Sequence, residues 1–323
     1  MRSTLAHFPS RLLVAFAGVL VVALVLTACT MTPPQQAPAA PAVGAPPAPG
    51  TAAGPQGALR VALEIPAQLD PAFAASDAEI AVLNAVYDYL VDVDENNRLQ
   101  PRLATSAKGS PDGLSYTGEI HPDAVFHDGS PVTAADVIYT FNRLRDPNAG
   151  LPTADLYSNI ADIFAPGGAD PATSKTVVFA LKTPDPFFQY NLSDNHAVVV
   201  KAGATDFSKD FNGSGPFKVV SYSPENRMQL AANDAYFLPG KPGVASLELI
   251  FFGEQTAAVD ALKGGQVDVV LRMPTALLVS LQGEPGIQTA SVATNQFDLV
   301  RLRADKEPGN KPEVIQALKL ATD

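Results

Sequence analysis

Residues 126–147 read FHDGSPVTAADVIYTFNRLRDP, and the body of the chain can be read outward from this run. Thr133 stands three places before Asp136, the spacing of an N-terminal cap, and Val137, Phe141 and Leu144 follow at helical spacing. Upstream, Pro122 and Gly129 break the chain into strand, turn and loop. Ser76 and Glu79 repeat the cap pattern, and Ile80, Leu83, Tyr87 and Leu90 behind them predict another helix. Apolar or alternating runs predict strands over 59–65, 176–181, 217–223, 245–252 and 267–271. Further helices are expected over 254–262, stopped by Gly264 and Gly265, and over 313–321. Strands and helices mix along the whole body, so the class is α/β.

Composition narrows the function classes. The chain has 323 residues, a net charge of −11 and 46% hydrophobic residues, which excludes a disordered polyelectrolyte. The acidic balance argues against nucleic acid as a partner, since phosphate binding needs a basic face. A single Cys excludes an intramolecular disulfide framework and any multi-Cys metal site.

The N-terminus reads as an address. Arg2 and Arg11 give it positive charge, and Leu12 to Leu26 is an apolar run. That run is short against the roughly 20 residues of a membrane span, but it suits a signal peptide. It ends in Leu26-Thr27-Ala28-Cys29, which resembles the lipobox of bacterial lipoproteins. The expected order is a signal peptide over 1–28, lipid on Cys29, and a tether over 29–57. The tether is uncharged and rich in Pro and Ala, a composition that stays extended rather than packing a core.

A scan for reaction chemistry returns little. There is no phosphate-binding glycine loop, and Asn212-Gly213-Ser214-Gly215-Pro216 has the wrong spacing for a nucleophile elbow, leaving Ser214 a turn residue. His121, Asp123, His127 and Asp128 are metal-ligand types, but the broken segment leaves no helical face to gather them, and solvated turn residues are the expectation. Tyr87, Tyr89, Phe187 and Phe188 read as core before they read as stacking platforms. Arg272 directly follows the apolar strand VDVVL, where a cation in an α/β body faces a cleft or is an ordinary surface residue. No catalytic constellation, metal or cofactor is expected.

The run at 126–147 closely resembles the signature of extracytoplasmic solute-binding proteins of ABC importers, the peptide- and nickel-type class called family 5. LDPAF at 69–73, the run 213–252, ALKGGQVDVV at 261–270 and IQALKLATD at 315–323 resemble further family motifs in the same order. The resemblance implies a type II periplasmic-binding-protein-like fold. Lobe I would begin over 58–88, carry an inserted subdomain over 89–196 and return over 197–311. Residues 312–323 would open a second lobe that is largely missing, so the chain reads as truncated.

The resemblance also implies function: a monomer, lipid-anchored outside the cytoplasm, binding a peptide or other small polar solute and delivering it to a membrane permease. Ala75, Ser76 and Asp77 fall where the family offers backbone groups to a peptide. Asp77 would meet a ligand ammonium or else serve the helix dipole. Thr153 falls where some peptide binders place an aromatic cleft residue, which implies a roomier wall. Arg272 would take an anionic group of the solute. A non-transport receptor or adhesin, or a secreted hydrolase, are the competing classes.

Overall fold

The computed structural model describes residues 54–291 and 302–321. Cys29 and the signal and tether segments lie outside the described residues. In chain order the strands are β1 Ala58–Glu64, β2 Val91–Val93, β3 Leu99–Pro101, β4 Ala104–Gly109, β5 Ser115–Ile120, β6 Ile160–Phe164, β7 Thr176–Leu181, β8 Phe217–Ser223, β9 Arg227–Ala232, β10 Ser246–Phe252 and β11 Val269–Val270. The helices are α1 Asp77–Val86, α2 Ala134–Leu144, α3 Phe188–Asn191, α4 Gln255–Lys263, α5 Thr275–Ser280 and α6 Pro312–Ala321.

Two sheets organise the body. A five-stranded sheet runs β11-β1-β10-β9-β8, and a four-stranded sheet runs β4-β5-β7-β6. β1 lies parallel to both its neighbours, β10 and β11, whereas β10, β9 and β8 form an antiparallel meander. Parallel strands need both faces covered, and the alternation of β1 provides for this. Val61 and Leu63 join the main core with Val82, Leu83 and Val86 of α1. Ala62 joins a separate small cluster with Ala258 and Ala261 of α4. The four-stranded sheet is backed by α2, whose Phe141 meets Phe179 of β7 edge to face, with ring centroids 5.0 Å apart.

Both expected caps form. Ser76 Oγ accepts from the Glu79 amide, while the Glu79 carboxylate accepts from the Ser76 amide. Asp136 accepts from the Thr133 amide and hydroxyl. Two expected elements are shorter than the pattern indicates. α1 stops at Val86, because Gly215 donates to the Val86 carbonyl and the chain leaves the helix at Tyr87, so Leu90 packs from outside it. The strand expected over 267–271 narrows to Val269–Val270. Asp268 instead turns its carboxylate onto Arg60, whose Nη2 donates to it at 2.6 Å.

Tyr87, Tyr89 and Phe188 are buried in the core, as their spacing suggests, but Phe187 is exposed on the surface. Ser214 is not an exposed turn serine: it is wholly buried in a loop pressed against the end of α1.

Candidate functional site

The carboxyl ends of β1, β10 and β11 open on one side of the five-stranded sheet, where ligands collect in open α/β folds. A cleft of about 380 Å³ sits there, lined by Leu63, Glu64, Asp77, Ala78, Gln255 and the run Leu271–Pro274. Four parts of the chain build it: the end of β1, the start of α1, the start of α4 and the turn after β11. Glu64 accepts from the Gln255 side-chain amide at 2.6 Å, which ties the end of β1 to the start of α4.

Arg272 and Asp77 meet across this cleft. Arg272 Nη1 lies 2.5 Å from Asp77 Oδ2, and both side chains are about half exposed. Arg272 has φ 46°, a left-handed backbone that non-glycine residues adopt uncommonly. Strain of this kind persists where the surroundings over-determine the conformation, and it clusters at functional sites.

The loop that leads into α1 is held from two directions. Arg143 of α2, within the 126–147 run, pairs with Asp70, and its guanidinium lies 4.8 Å above the Phe207 ring. The buried Glu79 carboxylate accepts from the amides of Gln68, Ala75 and Ser76 at 3.2, 2.7 and 3.0 Å. Two of the backbone donors expected to face a solute, those of Ala75 and Ser76, are therefore already engaged by Glu79. Ala75 and Asp77 remain exposed.

Thr153 does not line this cleft. It is buried, and its hydroxyl donates to the Leu144 carbonyl at 2.9 Å, closing the turn that follows α2. A hydroxyl so placed packs the subdomain and offers no wall to a solute.

A larger recess of about 900 Å³ lies by Tyr87, at the far end of α1, among residues 200–212 and β8. Its charged groups already serve one another. Lys201 Nζ donates to Asp128 at 2.5 Å, and Asn212 and Ser130 donate to the same carboxylate. Burial opposes ionisation of Asp128, but these bonds prevail and hold it well below the usual carboxylate range. His127 is not a solvated turn residue. Its Nδ1 and Nε2 face the carbonyls of Phe211 and Gly215 at 3.3 and 3.1 Å. Among the described residues, no group of three or more His, Cys, Asp or Glu could hold a metal ion. Size therefore favours this recess, but strand polarity and the strained Arg272 place the candidate site at the smaller cleft.

Sequence reasoning missed a buried network at the far end of α1 from the cleft. Asp88 is fully buried, with Arg102 Nε 2.9 Å from Oδ1 and the Tyr236 hydroxyl donating to Oδ2 at 2.6 Å. Burial pushes the Asp88 carboxyl up from its ordinary value, against the pull of Arg102 and Tyr236. Arg102 also donates to the Tyr236 hydroxyl and pairs with Asp92. The one available signal was the pair of charges flanking the β2–β3 hairpin, which does not specify a partner at 236.

The five-stranded sheet with its inserted four-stranded sheet, and a cleft at the carboxyl ends of its parallel strands, have the α/β architecture of one lobe of a type II periplasmic-binding-protein-like fold. The chain matches the description "Bacterial extracellular solute-binding proteins, family 5 Middle" over residues 98–323 and belongs to that family. It is 29% identical over 274 residues to the probable D,D-dipeptide-binding periplasmic protein DdpA of Escherichia coli, covering 80% of this chain and 51% of that protein. It is 26% identical over 258 residues to the glutathione-binding protein GsiB of Pectobacterium atrosepticum, covering 78% of this chain and 49% of the relative.

Among solved structures it is similar to MoaA of A. tumefacien in complex with mannopinic acid, with TM-score 0.72 and 26% identity, over 81% of this chain and 55% of that one. It is similar to NikZ of Campylobacter jejuni in complex with Ni(L-His), with TM-score 0.67 and 25% identity, over 82% of this chain and 53% of that one. The chain spans about half the length of the curated relatives it matches. The family comprises substrate-binding proteins rather than enzymes.

Proposed function

We propose that this chain supplies one wall of the solute cleft of an ABC-importer binding protein, and that the solute is a peptide or another small polar molecule. The observation that carries this reading is the cleft at the carboxyl ends of β1 and β11, where Asp77 and Arg272 face each other. The relatives add support: those named above are described as binding a D,D-dipeptide, glutathione, mannopinic acid and Ni(L-His). In such proteins a hinge between lobes is biased by contacts made only in the closed form, and the closed form is what a permease recognises. Asp77 would meet a cationic group of the solute and Arg272 would hold an anionic one, while Ala75 and Ser76, with their amides held by Glu79, would shape the loop beside the cleft. The protein would act as a monomer outside the cytoplasm, tethered through lipid on Cys29.

Calorimetric titration of the full chain with a di- and tripeptide library tests this. Binding that Arg272→Ala weakens at least fivefold, and that Arg98→Ala leaves unchanged, supports the reading. Equal affinity in parent and Arg272→Ala would remove Arg272 from the site.

A further inference from the structure

We propose that the Arg272–Asp77 pair reads a zwitterionic head in which ammonium and carboxylate sit on neighbouring atoms, as in a free amino acid or an amino-acid-like conjugate. This rests on the cleft being the solute site. Three observations lead to it.

The two side chains are in direct contact, with Nη1 and Oδ2 2.5 Å apart. A solute that engages both must therefore present its opposite charges close together. Two termini separated by several residues of peptide would meet only one member of the pair. The pair is also half exposed, and exposed ion pairs are weak, so a zwitterion can open it at little cost. Each charge lost from the internal pair is regained from the solute: carboxylate on guanidinium, in the fork geometry that Arg favours, and ammonium on Asp77.

The surroundings add an apolar requirement. Leu63, Ala78, Leu271, Met273 and Pro274 share the cleft with the charges, and the remaining polar lining, Glu64 and Gln255, is engaged with itself. A zwitterionic head with an apolar side chain fits this lining better than one whose side chain is also charged. The backbone at Arg272, at φ 46°, keeps the guanidinium on this side of the turn after β11.

Isotope-labelled full chain would be titrated with L-leucine, L-leucinamide, N-acetyl-L-leucine and 6-aminohexanoate, reading the amide shifts of Asp77, Ala78, Leu271 and Arg272. L-leucine should bind at least tenfold tighter than each of the other three. Asp77→Asn and Arg272→Gln should each lower leucine affinity at least fivefold with an unchanged melting temperature. Equal binding of leucinamide or N-acetyl-leucine would overturn two-charge recognition, and equal binding of 6-aminohexanoate would overturn the adjacency requirement. If a dipeptide shifts these amides and leucine does not, this inference fails while the solute-site reading stands. If no probe shifts them, both fail.

Discussion

The guanidinium of Arg102 rests against the fully buried carboxylate of Asp88, Nε to Oδ1 at 2.9 Å, and the Tyr236 hydroxyl closes the other carboxylate oxygen at 2.6 Å. The three groups come from the exit of α1, the β2–β3 hairpin and the segment after β9. One buried charge thereby joins the five-stranded sheet to the inserted region.

Asp88→Ala should therefore be strongly destabilising. Removing one member of a fully buried pair costs about 3–5 kcal/mol, and because Arg102 is only partly buried and keeps Asp92 the expected loss lies toward the lower end of that range. Urea unfolding of parent and variant would measure it. A loss below about 1 kcal/mol would show the network to be dispensable.

Gly213→Ala should be nearly as damaging. A Cβ there would lie 1.9 Å from the Val86 carbonyl oxygen, so α1 or the 213–215 loop must move. Overpacking of this kind costs about 1–3 kcal/mol, occasionally more. Gly243 has nothing within 4 Å of an added Cβ, so Gly243→Ala is the matched control and should change stability by less than about 0.5 kcal/mol.

Two histidines should give opposite pH dependences. The bond from Asp194 raises the His196 pKa above its ordinary 6.5, against burial. The stability that His196 contributes is then fully present below about 6.5 and is lost as pH rises through the folded value. For His127, burial lowers the pKa below 6.5, against its bonds to the Gly215 and Phe211 carbonyls. Its contribution is present above about 6.5 and is lost as pH falls through the folded value. Melting temperatures between about pH 5 and 8 for His196→Gln and His127→Gln should each lose one of these slopes. The same slope change in both variants would contradict the assignment.

Cys29→Ser should release the protein from membranes or leave the precursor uncleaved. A single acyl chain anchors only marginally, so stable tethering needs the diacyl or triacyl form on this residue. Normal processing with undiminished membrane retention in the variant would count against lipidation.

The parts of the fold that show in the sequence are those set by neighbours along the chain. The boxes at Ser76–Glu79 and Thr133–Asp136 close within one helical turn, so spacing alone reports them. β7 and β10 are apolar enough to declare themselves. β4 and β5 are not: ATSAKG and SYTGEI carry polar residues, because Ser106, Lys108, Thr117 and Glu119 face away from the core. Their strand character comes from pairing with each other and with β7. The site divides the same way. Asp77 and Arg272 each carry a local signal, but nothing local says that they touch. Thr153 carries no local sign that its hydroxyl caps Leu144, and the family resemblance that implied a cleft role holds no information about burial.

The position of β1 bears on how the molecule comes into being. The first strand of the body has both its sheet partners far along the chain, at Ser246–Phe252 and Val269–Val270, and the Arg60–Asp268 pair that fastens it to β11 spans 208 residues. A chain made from its N-terminus holds β1 without either neighbour until β10 and β11 have been synthesised. Assembly dominated by such distant pairings is slow, since the loop must close before the contact rewards it. Until β10 and β11 emerge, the five-stranded sheet has no finished centre around which to condense, and its apolar strands stay open to capture by chaperones.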